Sequence, residues 1–291
     1  MKLQFLPAHI MKVDIAVILF LIFLLGSSCE ENISVKENKA VIEGVFSSEG
    51  YPTVLFSSSV SPGVDGNLSD AVINWGKVTI SDGEREVILS GRVDNTYLPP
   101  FRYYTFDMKG EPGKTYTVKA DFKDLHAEST MTMPYPTPID SITFAPTETD
   151  TLRATTLHFT SPADTPAYYY LTLQRNERGA HPSPALMGTI IADLPLTHYS
   201  IPVLKPKIKI NSSDPGLAQD FVPQLTVGDE WIVELNRVER PVYDFWKAYD
   251  NMILFSTSPF ISTNESLPTN INGGYGVWSP QGTASMLFKV L

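Results

Sequence analysis

Lys77-Val78-Thr79-Ile80-Ser81-Asp82-Gly83-Glu84-Arg85-Glu86-Val87-Ile88-Leu89 is the stretch that decides the fold. Two short apolar runs flank Asp82-Gly83, and an Asp-Gly pair between such runs is a strong hairpin signal, because both residues tolerate the backbone of a tight turn. The text on either side repeats this grammar. Upstream, Ala40-Val41-Ile42-Glu43-Gly44-Val45-Phe46 and Thr53-Val54-Leu55-Phe56-Ser57 read as strands. Downstream, Tyr103 to Met108 alternates, and Thr115 to Phe122 alternates again after the turn Glu111-Pro112-Gly113. About seven short strands separated by turns predict a β-sandwich of immunoglobulin-like type.

Met133-Pro134-Tyr135-Pro136-Thr137-Pro138 is stiff and proline-rich, and reads as a linker. Strands resume beyond it at Ser141 to Phe144, Thr155 to Phe159, Ala167 to Leu173, Thr189 to Ala192 and Glu230 to Leu235, with a last one from Ala284 to Val290. The stretch between Ser200 and Phe221 reads as loop. Pro241 suits a first helical turn, and Val242, Phe245, Trp246, Tyr249, Met252 and Ile253 recur at three- and four-residue spacing. The expected architecture is therefore all-β. Two packed β-sandwich domains, immunoglobulin- or transthyretin-like, occupy 39–133 and 139–291, with one amphipathic helix near 241–255 in the C-terminal half.

The chain has 291 residues, a formal net charge of -10 and 43% hydrophobic residues. That hydrophobic share is ordinary for a globular protein. The acidic balance argues against nucleic acid and against adhesion to anionic lipid, both of which need clustered Lys and Arg. Lys205, Lys207 and Lys209 form the one basic cluster, and their alternation with Pro206 and Ile208 reads as a solvated strand edge.

The single cysteine, Cys29, carries more information than any other count. An apolar run from Ile15 to Leu25 follows Lys12 and leads into Gly26-Ser27-Ser28-Cys29. The run is about eleven residues, too short to span a bilayer core of roughly 30 Å, and it has the length of a signal-peptide h-region. Met1 and Met11 both precede it, and either start leaves it intact. The segment resembles a lipobox, although Gly26 stands where Leu is usual and Leu25 comes one place early. Residues 1–28 are thus expected to be a lipoprotein signal peptide, Cys29 the lipidated residue, and 29–38 a tether. Two acyl chains on that cysteine make a stable anchor. Glu30 and Glu31 resemble the surface-export signal of Bacteroidota lipoproteins. The expected location is the outer membrane, lipid-anchored and exposed at the cell surface.

Taken together, these residues resemble the Bacteroidota lipoprotein family catalogued as domain of unknown function 4249. The likeness rests on Cys29-Glu30-Glu31, on Val41 to Val45, on Val78 to Gly83 and on Pro112 to Tyr116. It continues through Ile139 to Ile142 and the aromatic helix near Tyr243, and is most specific at Thr269-Asn270-Ile271-Asn272-Gly273-Gly274-Tyr275-Gly276-Val277-Trp278. The resemblance implies no catalytic residues. It implies an accessory role beside a TonB-dependent outer-membrane receptor, and an N-terminal half similar to carboxypeptidase-regulatory or transthyretin-like sandwiches.

No catalytic constellation is visible. His126, His158, His181 and His198 lack the spacing of zinc ligands or the setting of an activated nucleophile. Asp65, Asn67 and Asp70 only faintly suggest a calcium loop, since the further oxygens and the terminal Glu are missing. Tyr168 and Tyr170 share one strand face and Tyr169 takes the other. The glycine-framed segment holding Asn272, Tyr275 and Trp278 is the candidate binding loop. It either presents an aromatic tip or folds back to cap the core. The expected function is a non-enzymatic accessory binding lipoprotein of a TonB-dependent uptake system, with no cofactor, metal or nucleic acid. An adhesin-like or structural envelope module is the alternative, followed by an enzyme acting on polysaccharide or peptide.

Overall fold

The computed structural model describes residues 38–291 apart from 49, 60–70, 95–99, 163–165, 178–182, 185–189, 193–197, 204, 209–218, 223 and 257–266. In chain order the first half contributes β1 (Ala40–Ser47), β2 (Thr53–Ser58), β3 (Lys77–Ser81), β4 (Glu86–Ile88), β5 (Ser90–Val93), β6 (Phe101–Tyr104), β7 (Thr115–Phe122) and β8 (Leu125–Thr132). Next come β9 (Ile139–Pro146), β10 (Leu152–Thr160), β11 (Tyr168–Arg175), β12 (Ser183–Pro184), β13 (Ile190–Ala192) and β14 (His198–Pro202). The remainder is β15 (Lys205–Ile208), β16 (Gln219–Val222), β17 (Gln224–Thr226), β18 (Glu230–Val238), helix α1 (Arg240–Ser256) and β19 (Gly274–Lys289).

Strand formation follows the period-2 pattern. In β7 the side chains of Tyr116, Val118 and Ala120 are buried while Thr115 and Lys119 face out, so one face packs and the other meets water. The 82–85 turn between β3 and β4 is stabilised locally. Asp82 Oδ1 accepts the Glu84 and Arg85 amides at 3.1 and 3.0 Å. Those bonds, Arg85's first, hold the Asp82 carboxyl below its ordinary value.

Two sandwiches share one sheet. A nine-stranded sheet runs β12-β11-β18-β19-β1-β2-β6-β5, with β13 beside β11. The four-stranded sheet β4-β3-β7-β8 faces its first-strand half, and β14-β10-β17 with β9 faces the other. Each half encloses its own core. The first is built on Phe46, Phe56, Tyr116, Met133 and Trp278, and the second on Leu157, Phe159, Tyr169, Leu171 and Val233. The all-β sandwich class read from the sequence is thereby borne out.

The division into 39–133 and 139–291 needs correction, because the last strand belongs to both halves. β19 pairs in parallel with β1, from Ala40↔Gly274 to Ser47↔Gln281, and antiparallel with β18 from Arg237↔Gly282 to Glu230↔Lys289. Residues 38–291 accordingly form one compact unit. The proline-rich link is pinned rather than free. Met133 is buried in the first core, and the buried Thr137 hydroxyl lies 3.0 Å from the Tyr169 hydroxyl in the second.

The helix also changes sides. Its Val242, Tyr243 and Phe245 pack with the first core, not the second, and Trp246 leans on Tyr170 at 5.5 Å. Beneath it lies a buried polar chain across β11, β18 and β19. The Tyr170 hydroxyl donates to Gln281 Oε1. Gln281 Nε2 donates to Asn236 Oδ1 at 3.0 Å, and the Thr283 hydroxyl donates to the same oxygen at 2.8 Å. Buried polar groups are tolerated here because each finds a partner.

Two further expectations shift. β19 begins ten residues ahead of Ala284, so the glycine-rich stretch is largely strand. The region read as loop between Ser200 and Phe221 holds the pair β15–β16. The middle of that region, with Lys209, lies outside the described residues.

Candidate functional site

The expected binding loop is a clasp for the first sandwich. Asn270 acts as a surrogate strand, its Oδ1 accepting the Trp278 amide at 2.9 Å and its Nδ2 donating to the Trp278 carbonyl at 2.8 Å. Asn272 exchanges two main-chain hydrogen bonds with Glu128 of β8, at 2.8 and 3.0 Å. The Ser129 hydroxyl donates to the Asn270 carbonyl at 2.7 Å. These bonds tie the edge strand of the facing sheet to β19.

Trp278 is fully buried, and the half-buried Tyr275 ring sits 5.3 Å from Lys39 Nζ. Gly276 has φ +103°, and a Cβ there would stand 2.0 Å from the Ile42 carbonyl. Of the two readings left open by the sequence, folding back onto the core is what the geometry shows for Trp278. Asn272 stays exposed, with its main chain committed to Glu128.

The other sequence candidates disperse. Tyr169 is buried in the second core, Tyr170 joins the first, and Tyr168 is half-buried against Tyr243 of the helix at 5.0 Å. His126 Nδ1 pairs with Asp121 at 2.8 Å on the surface. His158 sits between two hydroxyls, Ser200 at Nδ1 and Thr143 at Nε2, both at 2.8 Å, and stacks with His198 at 6.2 Å. Both ring nitrogens of His158 are thus taken by hydroxyls, and among the described residues no carboxylate orients the ring as a base. Among the described residues no three His, Cys, Asp or Glu side chains are placed to hold a metal ion, and no helix is long and apolar enough to cross a membrane. Cys29, Glu30 and Glu31, the candidate calcium residues Asp65, Asn67 and Asp70, and His181 lie outside the described residues.

A surface cluster that sequence reading missed lies at the outer end of the large sheet. Phe106 is 67% exposed and takes both Tyr51 and Tyr104 edge-on, at ring separations of 5.1 and 5.4 Å. Arg92 of β5 completes it, donating to the Tyr104 hydroxyl at 2.7 Å with its guanidinium 5.8 Å from the ring centre. That hydrogen bond, first, and the Tyr104 charge hold the Arg92 guanidinium above its ordinary value.

Local chemistry forces Phe106 outward. Thr105 and Met108 are buried on either side, and the Thr105 hydroxyl accepts the Asp107 amide at 3.1 Å. The chain bends after β6, and the phenyl ring stands outward between Thr105 and Met108. Tyr103 points the other way. Its hydroxyl donates to the Ile73 carbonyl at 2.7 Å and accepts the Gly76 amide at 2.9 Å. Between those two anchor points Trp75 is left 89% exposed. The signal was present as Tyr103-Tyr104-Thr105-Phe106, but the sequence reading extended the strand to Met108, whereas β6 ends at Tyr104.

Fold and surface together define an all-β protein with two cores on a shared sheet, carrying an outward aromatic and arginine cluster. The sequence matches the family model described as Domain of unknown function (DUF4249) over residues 28–283, and the chain belongs to that family. The match bears out the family likeness drawn from the strand, hairpin and glycine-rich segments. A comparison with curated proteins finds no match.

Proposed function

We propose that this protein is a lipid-anchored outer-membrane protein, displayed at the cell surface, that serves a TonB-dependent uptake system as a non-catalytic binding partner. The observation that carries the reading is the exposed cluster of Tyr51, Tyr104, Phe106 and Arg92. Aromatic and arginine side chains dominate the energetic centres of protein interfaces, because they bury much area for little lost rotamer freedom. A preassembled chain of rings loses still less on docking.

The lipobox-like run ending at Cys29, and the acidic pair behind it, support the anchoring and display. Residues 29–38 join that cysteine to β1, and a short polar tether suits a folded body that works beside an integral receptor.

The test is affinity purification of the full lipoprotein from its native membrane after mild crosslinking, beside a Tyr51→Ala/Phe106→Ala variant. A TonB-dependent receptor should copurify with the unaltered protein and be depleted with the variant. Copurification of no such receptor, or equal recovery with both proteins, refutes the proposal.

A further inference from the structure

The second sandwich carries a strand whose hydrogen-bonding capacity is only half used. β9 lies at the outer side of its sheet, and β10 is its one ladder partner among the described strands. The ladder fixes where its spare groups point. The Val203 amide donates to the Thr155 carbonyl and the Val227 amide to the Thr151 carbonyl, both at 2.9 Å. The odd-numbered residues of β10 thus turn their main chain toward β14 and β17. Ala154, Thr156 and His158 turn toward β9, where they face Ala145, Thr143 and Ser141. Ile142 and Phe144, the alternate residues, therefore aim both N–H and C=O away from the sheet. Among the described residues nothing pairs with those groups.

An open row of this kind is a template for another strand, and proteins usually blunt it with short strands, Lys or Pro. Other outer strands here follow that rule. β12 has two residues, β4 three and β5 four, and Asn272 fastens the longer β8 at Glu128. β9 has eight residues and neither Lys nor Arg, with its proline only at the last position. Its Ile142 and Phe144 side chains pack on the second core, Phe144 at 6.1 Å from Phe288, while Ser141, Thr143 and Ala145 face out.

We propose that β9 pairs antiparallel with β9 of a second copy of this chain, about a two-fold axis through Thr143. The strand's own sequence selects that occupant. In this register Ile142 stands opposite Phe144 of the second copy, so the residues with spare main-chain groups meet and exchange both bonds. Their side chains carry the apolar layer across the join. Ser141 meets Ala145, and Asp140, the one charge in β9, meets Pro146, so no like charges are opposed. The net charge of -10 on each copy acts at longer range and is screened beyond about 8 Å at physiological salt. This edge is separate from the aromatic cluster and does not depend on its role.

Crosslinking of the full chain in its native membrane reads the register. Facing Cα atoms in a non-hydrogen-bonded antiparallel pair are about 4.5 Å apart, within disulfide reach. Thr143→Cys should therefore give a reducible dimer of this chain on mild oxidation. Ala145→Cys should not, because it faces Ser141 and its own counterpart lies about 13 Å along the strand. The unaltered protein, whose single cysteine is Cys29, sets the background. Sedimentation of the detergent-solubilised full chain needs no new cysteine. The unaltered protein should be a dimer, and Thr143→Lys, which sets two ammonium groups face to face, a monomer that still unfolds cooperatively. A Thr143→Cys dimer no stronger than that of Ala145→Cys or the unaltered protein, a crosslink to a different protein instead, or a dimer that survives Thr143→Lys overturns the assignment.

Discussion

The indole N–H of Trp278 donates to the main-chain carbonyl of Tyr116 at 3.1 Å. Trp278 belongs to β19 of the large sheet and Tyr116 to β7 of the sheet facing it, so this one bond crosses the first sandwich. Phe46 closes the group, edge-on to Tyr116 at 4.7 Å and tilted against Trp278 at 6.2 Å. The tryptophan reaches this place because its neighbour in the parallel ladder is Gly44, where a Cβ would lie 2.5 Å from the indole ring.

Trp278→Ala should therefore cost about 3–5 kcal/mol, the range for emptying a buried aromatic site. Gly44→Ala should be costly in the unaltered protein and close to neutral in the Trp278→Ala background, a coupling of about 1–3 kcal/mol. Urea unfolding of the four proteins measures it. An equal Gly44→Ala cost in both backgrounds would break the proposed steric link.

Gly276→Ala should destabilise by at least about 3 kcal/mol, since it combines a left-handed backbone with a clash against the Ile42 carbonyl. Gly83 has φ +89° but open space around it. Gly83→Ala should accordingly lose only about 1 kcal/mol, the cost of the backbone alone. Thermal or denaturant midpoints separate the two, and similar losses would argue that crowding at Gly276 is absorbed elsewhere.

Tyr170 gives the stability a descending limb in alkali. Burial first, and the Glu234 charge second, push its hydroxyl well above the ordinary 10.0. The unfolded chain then releases a proton near pH 10 that the folded chain retains. Stability from this group is complete below that pH and falls as pH rises above it. Tyr170→Phe should flatten the slope above pH 10 while costing about 1 kcal/mol at neutral pH, through the lost bond to Gln281. Tyr103, Tyr116 and Tyr249 are raised in the same direction, so the slope should lessen without vanishing. An unchanged slope would remove Tyr170 as a contributor.

The proposed surface display rests on residues ahead of the folded body. Replacing Glu30 and Glu31 together with Ala should leave a lipidated, folded protein that external protease no longer cleaves on intact cells, while the unaltered protein is cut. Cys29→Ser should abolish membrane attachment altogether. Equal cleavage of both proteins would reduce the glutamates to linker, and protection of both would place the body on the inner side.

Much of the local structure was legible. Thr115–Phe122 and α1 emerge from the sequence nearly as they stand, because each buries one face and the periodicity of its apolar residues reports that face directly. The glycine-rich segment misled for an equally physical reason. Three glycines within four residues suggest a loop, whereas here Gly274 and Gly276 allow β19 to run against the main chain of β1, and Gly273 lies against the His126 carbonyl of β8. The aromatic cluster was hidden because Tyr51, Arg92 and Phe106 are far apart in the chain, and an exposed ring cannot be told from a buried one within an alternating run.

What the amino-acid sequence determined alone was the all-β class, the hairpin at Asp82-Gly83 and the helix at Arg240–Ser256, all of them properties of short windows. Only the tertiary structure decided that the first and last strands pair, that the helix serves the first core, and that one sheet serves both. Strand pairing is a choice among partners with similar edges. The pairings that settle it, such as that of Ile42 with Gly276, join residues more than two hundred positions apart, where no local pattern reaches.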